Sequence, residues 1–182
     1  MKKLCMILSL ALILCFMVGC QDKEAMAELE AMKAQAEVEE QNKALIKGFF
    51  DEMNKGNVEI FRELCTPDFA LYSPSGVTEP ISLEETIEVF KMNLKGFPDL
   101  NWVIHEIVAK GDKVIGRFTL TGTHSGDWQG IPASGNKIKI TEIVIWQMKD
   151  GKCVEVREEG DMLGLMQQLG MELKPKEEKE KN

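Results

Sequence analysis

The groups best suited to chemistry in this sequence are a few carboxylates and two histidines set among apolar residues. Glu142 alternates with Ile140, Val144 and Trp146, so in a strand it shares their face. A carboxylate in that company needs a partner or a pocket. Arg117 can supply the partner from a neighbouring strand. His124 ends a β-rich segment beside a glycine-rich loop. It can orient or protonate a substrate oxygen, or it can organise the loop by a hydrogen bond. His105 alternates with Val103 and Ile107. It points into a cavity, or it is a satisfied half-buried histidine. Tyr72, Trp102 and Trp146 are able to line a ligand pocket, with core packing as the alternative. Trp128, on the loop 125–135, can cover such a pocket or pack on the surface. Asp161 immediately precedes an apolar helical run, where an N-cap aspartate belongs.

Composition narrows the field. The chain of 182 residues carries a net charge of −8. Binding nucleic acid calls for clustered Lys and Arg to neutralise phosphate, and no basic stripe is present. Nucleic acid is therefore not an expected partner. There are five cysteines and two histidines, without a Cys-x-x-Cys and without ligand-like spacing, so no metal site is expected. Cys65 and Cys153 are expected as buried free thiols, although export would permit a disulfide.

These side chains need elements to position them. Residues 21–55 are rich in helix formers, with no Gly or Pro before Gly48. The first part, to about residue 42, has only a thin apolar stripe and reads as a solvated stalk. The pattern turns core-like at Leu45, Ile46, Phe49, Phe50 and Met53. Gly56 should end the helix. Asn57 should cap the next helix, which Thr66-Pro67-Asp68 should stop. Residues 69–72 read as a short strand. Ser82 and Glu85 form a capping box ahead of Leu83, Ile87, Phe90 and Leu94. Segments 101–109, 113–124, 136–149 and 152–159 read as four long antiparallel strands joined at Gly111-Asp112 and Asp150-Gly151. The third is long enough to require a bend or bulge. A helix over 162–170 and a charged, disordered tail over 171–182 complete an α+β chain.

The N-terminus carries a separate message. Lys2 and Lys3 precede an apolar run from Leu4 to Val18, followed by Gly19 and Cys20. That is the layout of a secretory signal, with an apolar run short for a membrane span. Met17-Val18-Gly19-Cys20 resembles the lipobox of bacterial lipoproteins. The resemblance implies cleavage after residue 19, acylation of Cys20 and attachment to a bacterial membrane on the exported side, through the lipid anchor alone. Cleavage would take the net charge from −8 to −10.

Residues 43–170 resemble the SnoaL-like polyketide cyclase or ester cyclase family, within the nuclear transport factor 2-like superfamily. The residues that carry the likeness are Phe97-Pro98-Asp99-Leu100, the run Gly122-Thr123-His124-Ser125-Gly126-Asp127-Trp128-Gln129-Gly130-Ile131-Pro132, Asp150-Gly151-Lys152 with Glu155, and Asp161-Met162-Leu163 through Gln167-Gln168-Leu169-Gly170. The likeness implies a cone: a curved antiparallel sheet wrapped around the N-terminal helices, open at one end. It implies a small apolar carbonyl ligand and ring closure or isomerisation by general acid/base catalysis, with no metal or cofactor. Asp161 matches the family's acid/base position, with His124 as a helper. Family members often carry His-Trp after the hairpin glutamate, where this chain has Val156 and Arg157. The same resemblance leaves room for a non-catalytic binding or adaptor lipoprotein, and for a homodimer through the outer sheet face.

Overall fold

The computed structural model describes residues 23–172 and 174 in full, and traces helix α1 over Lys2–Met53. The expected signal peptide, the expected lipid anchor at Cys20 and most of the charged tail lie outside the fully described residues. The chain divides into two compact units, Met1–Glu40 and Gln41–Asn182. In the first unit the described helical side chains face solvent, including Met26, Leu29, Met32 and Val38. Among the described residues no helix is long and apolar enough to cross a membrane.

The second unit is α+β. The end of α1 contributes Ile46, Phe49, Phe50 and Met53 to the core, and Gly56 ends that turn with a φ of 80°. Short helix α2 spans Ile60–Leu64. Strand β1 (Cys65–Tyr72) and the two-residue β2 (Ile81–Ser82) follow. Helix α3 (Leu83–Gly96) starts on the expected Ser82/Glu85 capping box. Then come β3 (Asn101–Lys110), β4 (Lys113–Thr123), β5 (Lys137–Lys149), β6 (Lys152–Gly160) and helix α4 (Met162–Gln168). The β5–β6 turn is built from Asp150 and Gly151, both at positive φ, the backbone a tight hairpin demands.

One six-stranded sheet results, in the order β2-β1-β6-β5-β4-β3. All pairs are antiparallel except β1 with β6. Two expectations need correction here. Thr66-Pro67-Asp68 does not stop a helix; it lies inside β1. Proline is tolerated there because the β1–β6 register is irregular between Cys65 and Ala70. Asn57 does not cap α2 either: the cap position is Glu59, without a side-chain cap bond. The Asn57 side chain instead donates back to Glu52 at 3.0 Å. The bend expected in the longest strand appears as a register shift at Gln147/Met148.

Packing is aromatic at the centre. The Phe50 ring lies 4.4 Å from Phe118, 5.8 Å from Trp146 and 6.2 Å from Trp102. Alternation along β5 sends Ile138, Ile140, Val144 and Trp146 inward, so the helices and the inner sheet face share one core.

Candidate functional site

The inner sheet face does not close completely over the helices. A cavity of about 210 Å³ remains. Its walls are apolar: Phe49, Phe50, Phe61 and Phe90 from the helices, and Trp102, Ile140, Val144, Trp146 and Val156 from the sheet. Trp128 closes one side. It is buried, its Nε1 donates to Asn93 at 2.8 Å, and it also lines the cavity. Met162 and Leu165 of α4 complete the wall.

Among the described residues only two ionisable side chains line this space, Glu142 on β5 and Glu158 on β6. Their strands are adjacent, with Val144 opposite Glu158 and Glu142 opposite Gly160. Trp102 Nε1 donates to Glu142 Oε2 at 3.2 Å. Burial pushes the Glu142 carboxyl up to about 7, and the nearby Glu158 carboxylate adds to the rise. Burial raises Glu158 as well, and a hydrogen bond with Ser73 holds it back in part. Among the described residues no Lys, Arg or His lines the cavity to neutralise them. Two interacting buried carboxyls titrate as a pair. Near pH 7 the Glu142 carboxyl can therefore both hold and release a proton, beside a second carboxyl that burial also raises.

The other expected site residues fall elsewhere. Asp161 is exposed and does not line the cavity. Its carboxylate accepts from Gly164 N at 2.8 Å, as the N-cap of α4. Asp161 therefore lies outside the cavity, whose lining carries Glu142 and Glu158 instead. Asp161 contributes by fixing the helix that carries Met162 and Leu165. His124 is fully buried outside the cavity lining, stacked on Phe97 at 4.9 Å. Its Nδ1 accepts from Ser134 N at 3.3 Å and meets Ser134 Oγ at 3.0 Å, so it organises the loop.

His105 is exposed, bonded to Thr119 Oγ1 at 2.7 Å. A register shift between Ile104 and Glu106 breaks the alternation it was expected to follow. Trp102 and Ile104 face inward before the shift, Ile107 and Ala109 after it. Tyr72 is placed on the outer face beneath Arg157, whose guanidinium sits 3.8 Å from the ring centre. Arg117 pairs with Glu106 at 3.2 Å rather than with Glu142, because its row holds Ile143 while Glu142 sits opposite Phe118. Of the expected ligand-lining residues, Trp102, Glu142 and Trp146 come together.

Glu158 was missed. The signal was the alternation Val154, Val156, Glu158, hidden by the charged run Arg157-Glu158-Glu159. Among the described residues no cluster of three or more His, Cys, Asp or Glu is arranged to hold a metal.

This geometry can be set beside known proteins. The family model described as SnoaL-like polyketide cyclase matches residues 44–169. No curated protein matches the chain. Solved structures do. A candidate SnoaL-like polyketide cyclase from Jannaschia sp. CCS1 is 27% identical, covering 74% of this chain and 95% of its own, with a TM-score of 0.65. AclR, a candidate hydroxylase from Streptomyces galilaeus, is 28% identical over 75% of this chain and 97% of its own, TM-score 0.66. IdmH, a candidate polyketide cyclase from Streptomyces antibioticus, is 30% identical over 72% of this chain and 99% of its own, TM-score 0.63.

Proposed function

This chain belongs to the SnoaL-like polyketide cyclase family, and from that membership we propose that its cavity binds a small apolar carbonyl compound and moves a proton on it, with Glu142 and Glu158 as the acid/base pair. The observation that carries this is the pair itself: two carboxyls, one near 7, as the only ionisable groups among the described residues that line the apolar cavity. A buried carboxylate gains basicity because desolvation disfavours its charge. The ionised member takes a proton from the carbon next to the carbonyl. The protonated member donates a hydrogen bond to the carbonyl oxygen as negative charge grows there. The resulting enolate either attacks a second carbonyl in the same molecule, closing a ring, or regains its proton at another carbon. Trp102 Nε1 steadies the Glu142 carboxylate between these steps. A fold alone does not select among such outcomes, as the hydroxylase and cyclase descriptions of the relatives illustrate.

Deuterium incorporation into small cyclic ketones and 1,3-diketones in heavy water, read by mass spectrometry, tests the proposal. Exchange above the buffer rate is expected, rising with pH through about 7. Asp161→Ala should keep that rate while losing about 1 kcal/mol of stability through the missing cap. Failure of the wild type to exchange or bind any of these probes would overturn the reading, leaving a non-catalytic adaptor. Loss of exchange in Asp161→Ala with the helix intact would return the chemistry to Asp161.

We also propose that Cys20 tethers this domain to a bacterial membrane after export. Support comes from Lys2-Lys3, the apolar run and Gly19-Cys20 ahead of a charged stretch. Two or more acyl chains anchor stably where one does not. Intact mass spectrometry of the protein from its native cells should show an N-terminal acylated Cys20. An unmodified chain that still begins at Met1 would refute the tether.

A further inference from the structure

We propose that Cys65 and Cys153 form a disulfide, linking β1 to β6 by exchange with a disulfide oxidant such as oxidised glutathione. The two are Cα partners in the parallel β1–β6 ladder, and both are free and buried. Adjacent strands lie about 4.8 Å apart, inside the roughly 4.4–6.8 Å Cα separation that a disulfide spans. Directly opposed residues project to the same face of a sheet, so the two thiols are neighbours across the ladder. The ladder is irregular from Cys65 to Ala70, so the start of β1 has room to adjust its Cβ direction.

An entry route exists on one side. Cys65 borders a surface pocket with Arg62, Leu83, Glu84 and Lys152, and Cys153 does not. Cys65 therefore reacts first. Its thiolate attacks one sulfur of oxidised glutathione and expels one glutathione thiolate. Cys153 then gives up its proton and attacks the Cys65 sulfur of the mixed disulfide, expelling the second glutathione. One protein disulfide forms, one external disulfide is reduced to two thiols, and the two protein protons end on the departing glutathiones. The second step is slow, because burial raises the Cys153 thiol above its ordinary range.

The bond would bear on the cavity wall. Further along the same strand pair, Leu71 sits opposite Val156, and both line the cavity. Ser73 follows and hydrogen-bonds with Glu158. A covalent link at Cys65 pins the far end of that wall. The pairing itself depends on neither the proposed chemistry nor the proposed export.

The test uses the full chain, reduced and then incubated with oxidised glutathione, followed by alkylation in denaturant and peptide mass mapping. The expected product is a cross-linked peptide pair containing Cys65 and Cys153, lighter by two hydrogens than the reduced pair. The melting temperature should rise by roughly 5–15 °C, reversibly with dithiothreitol. Cys153→Ala should stop at a Cys65–glutathione adduct. Recovery of Cys65 and Cys153 both alkylated, a lasting glutathione adduct on Cys65 in the wild type, or a disulfide joining Cys65 or Cys153 to another chain would each overturn the pairing.

Discussion

Glu142→Gln is expected to lose proton transfer and to be more stable than the wild type at pH 8. Both effects have one cause. The Glu142 carboxyl titrates near 7 in the folded chain, against an ordinary value of 4.5. Its folded value lies above its unfolded value, so the folded state holds the proton more tightly. The stability this group contributes is complete below about 4.5 and is lost as pH climbs to about 7. Above that, the native fold carries an ionised carboxylate among aromatic rings. The difference amounts to about 3 kcal/mol at about 1.4 kcal/mol per unit. Glutamine keeps the volume and an oxygen for Trp102 Nε1 but carries no charge. Urea unfolding at pH 5.5 and pH 8 should show the wild type weakening between them and the variant much less so. Proton transfer should fall by about 10²–10⁴-fold, the usual scale for losing a general acid or base. A variant less stable than the wild type at pH 8 would mean that the ionised Glu142 is compensated in a way this cavity does not provide.

Phe118→Ala should be the most damaging single change in the core. Phe118 is fully buried, with ring contacts to Phe50 at 4.4 Å and Trp146 at 5.6 Å. Its ring also covers Gly116, whose Cβ would sit 2.4 Å from Phe118 Cζ. No side chain at 116 can swing in to fill the space. A hole of that kind costs about 3–5 kcal/mol, a large part of the 5–15 kcal/mol that holds a typical domain together. Thermal unfolding should move down by roughly 10–15 °C. A loss below about 1.5 kcal/mol would show that Phe50 and Trp146 collapse into the vacancy. The two variants thus separate the roles of one surface. Phe118 and Glu142 are direct partners in the β4–β5 ladder, yet one replacement should weaken the fold and the other strengthen it at the expense of function.

Much of this was legible locally. The Ser82/Glu85 box, the hairpin turn at Asp150-Gly151 and the cap at Asp161 depend on residues two to four positions apart. Alternation in β5 was enough to put Glu142 with Ile140 and Trp146. It failed at His105, where one extra residue between Ile104 and Glu106 reverses the parity. A bulge leaves no mark in the pattern of apolar residues when both sheet faces carry them. It failed at Arg117 too, because a cross-strand partner follows from register, not from composition.

The sequence by itself determined the α+β class, the family likeness and the inward direction of Glu142, since period, turn chemistry and spacing are properties of neighbouring residues. Only the tertiary structure decided that Glu158 meets Glu142 in the same cavity, that Asp161 stays outside it, and that Cys65 faces Cys153 across two strands. Each of those is a pairing between segments far apart in the chain. Burial then turns such a pairing into a shifted proton equilibrium, because charge is costly once water is removed.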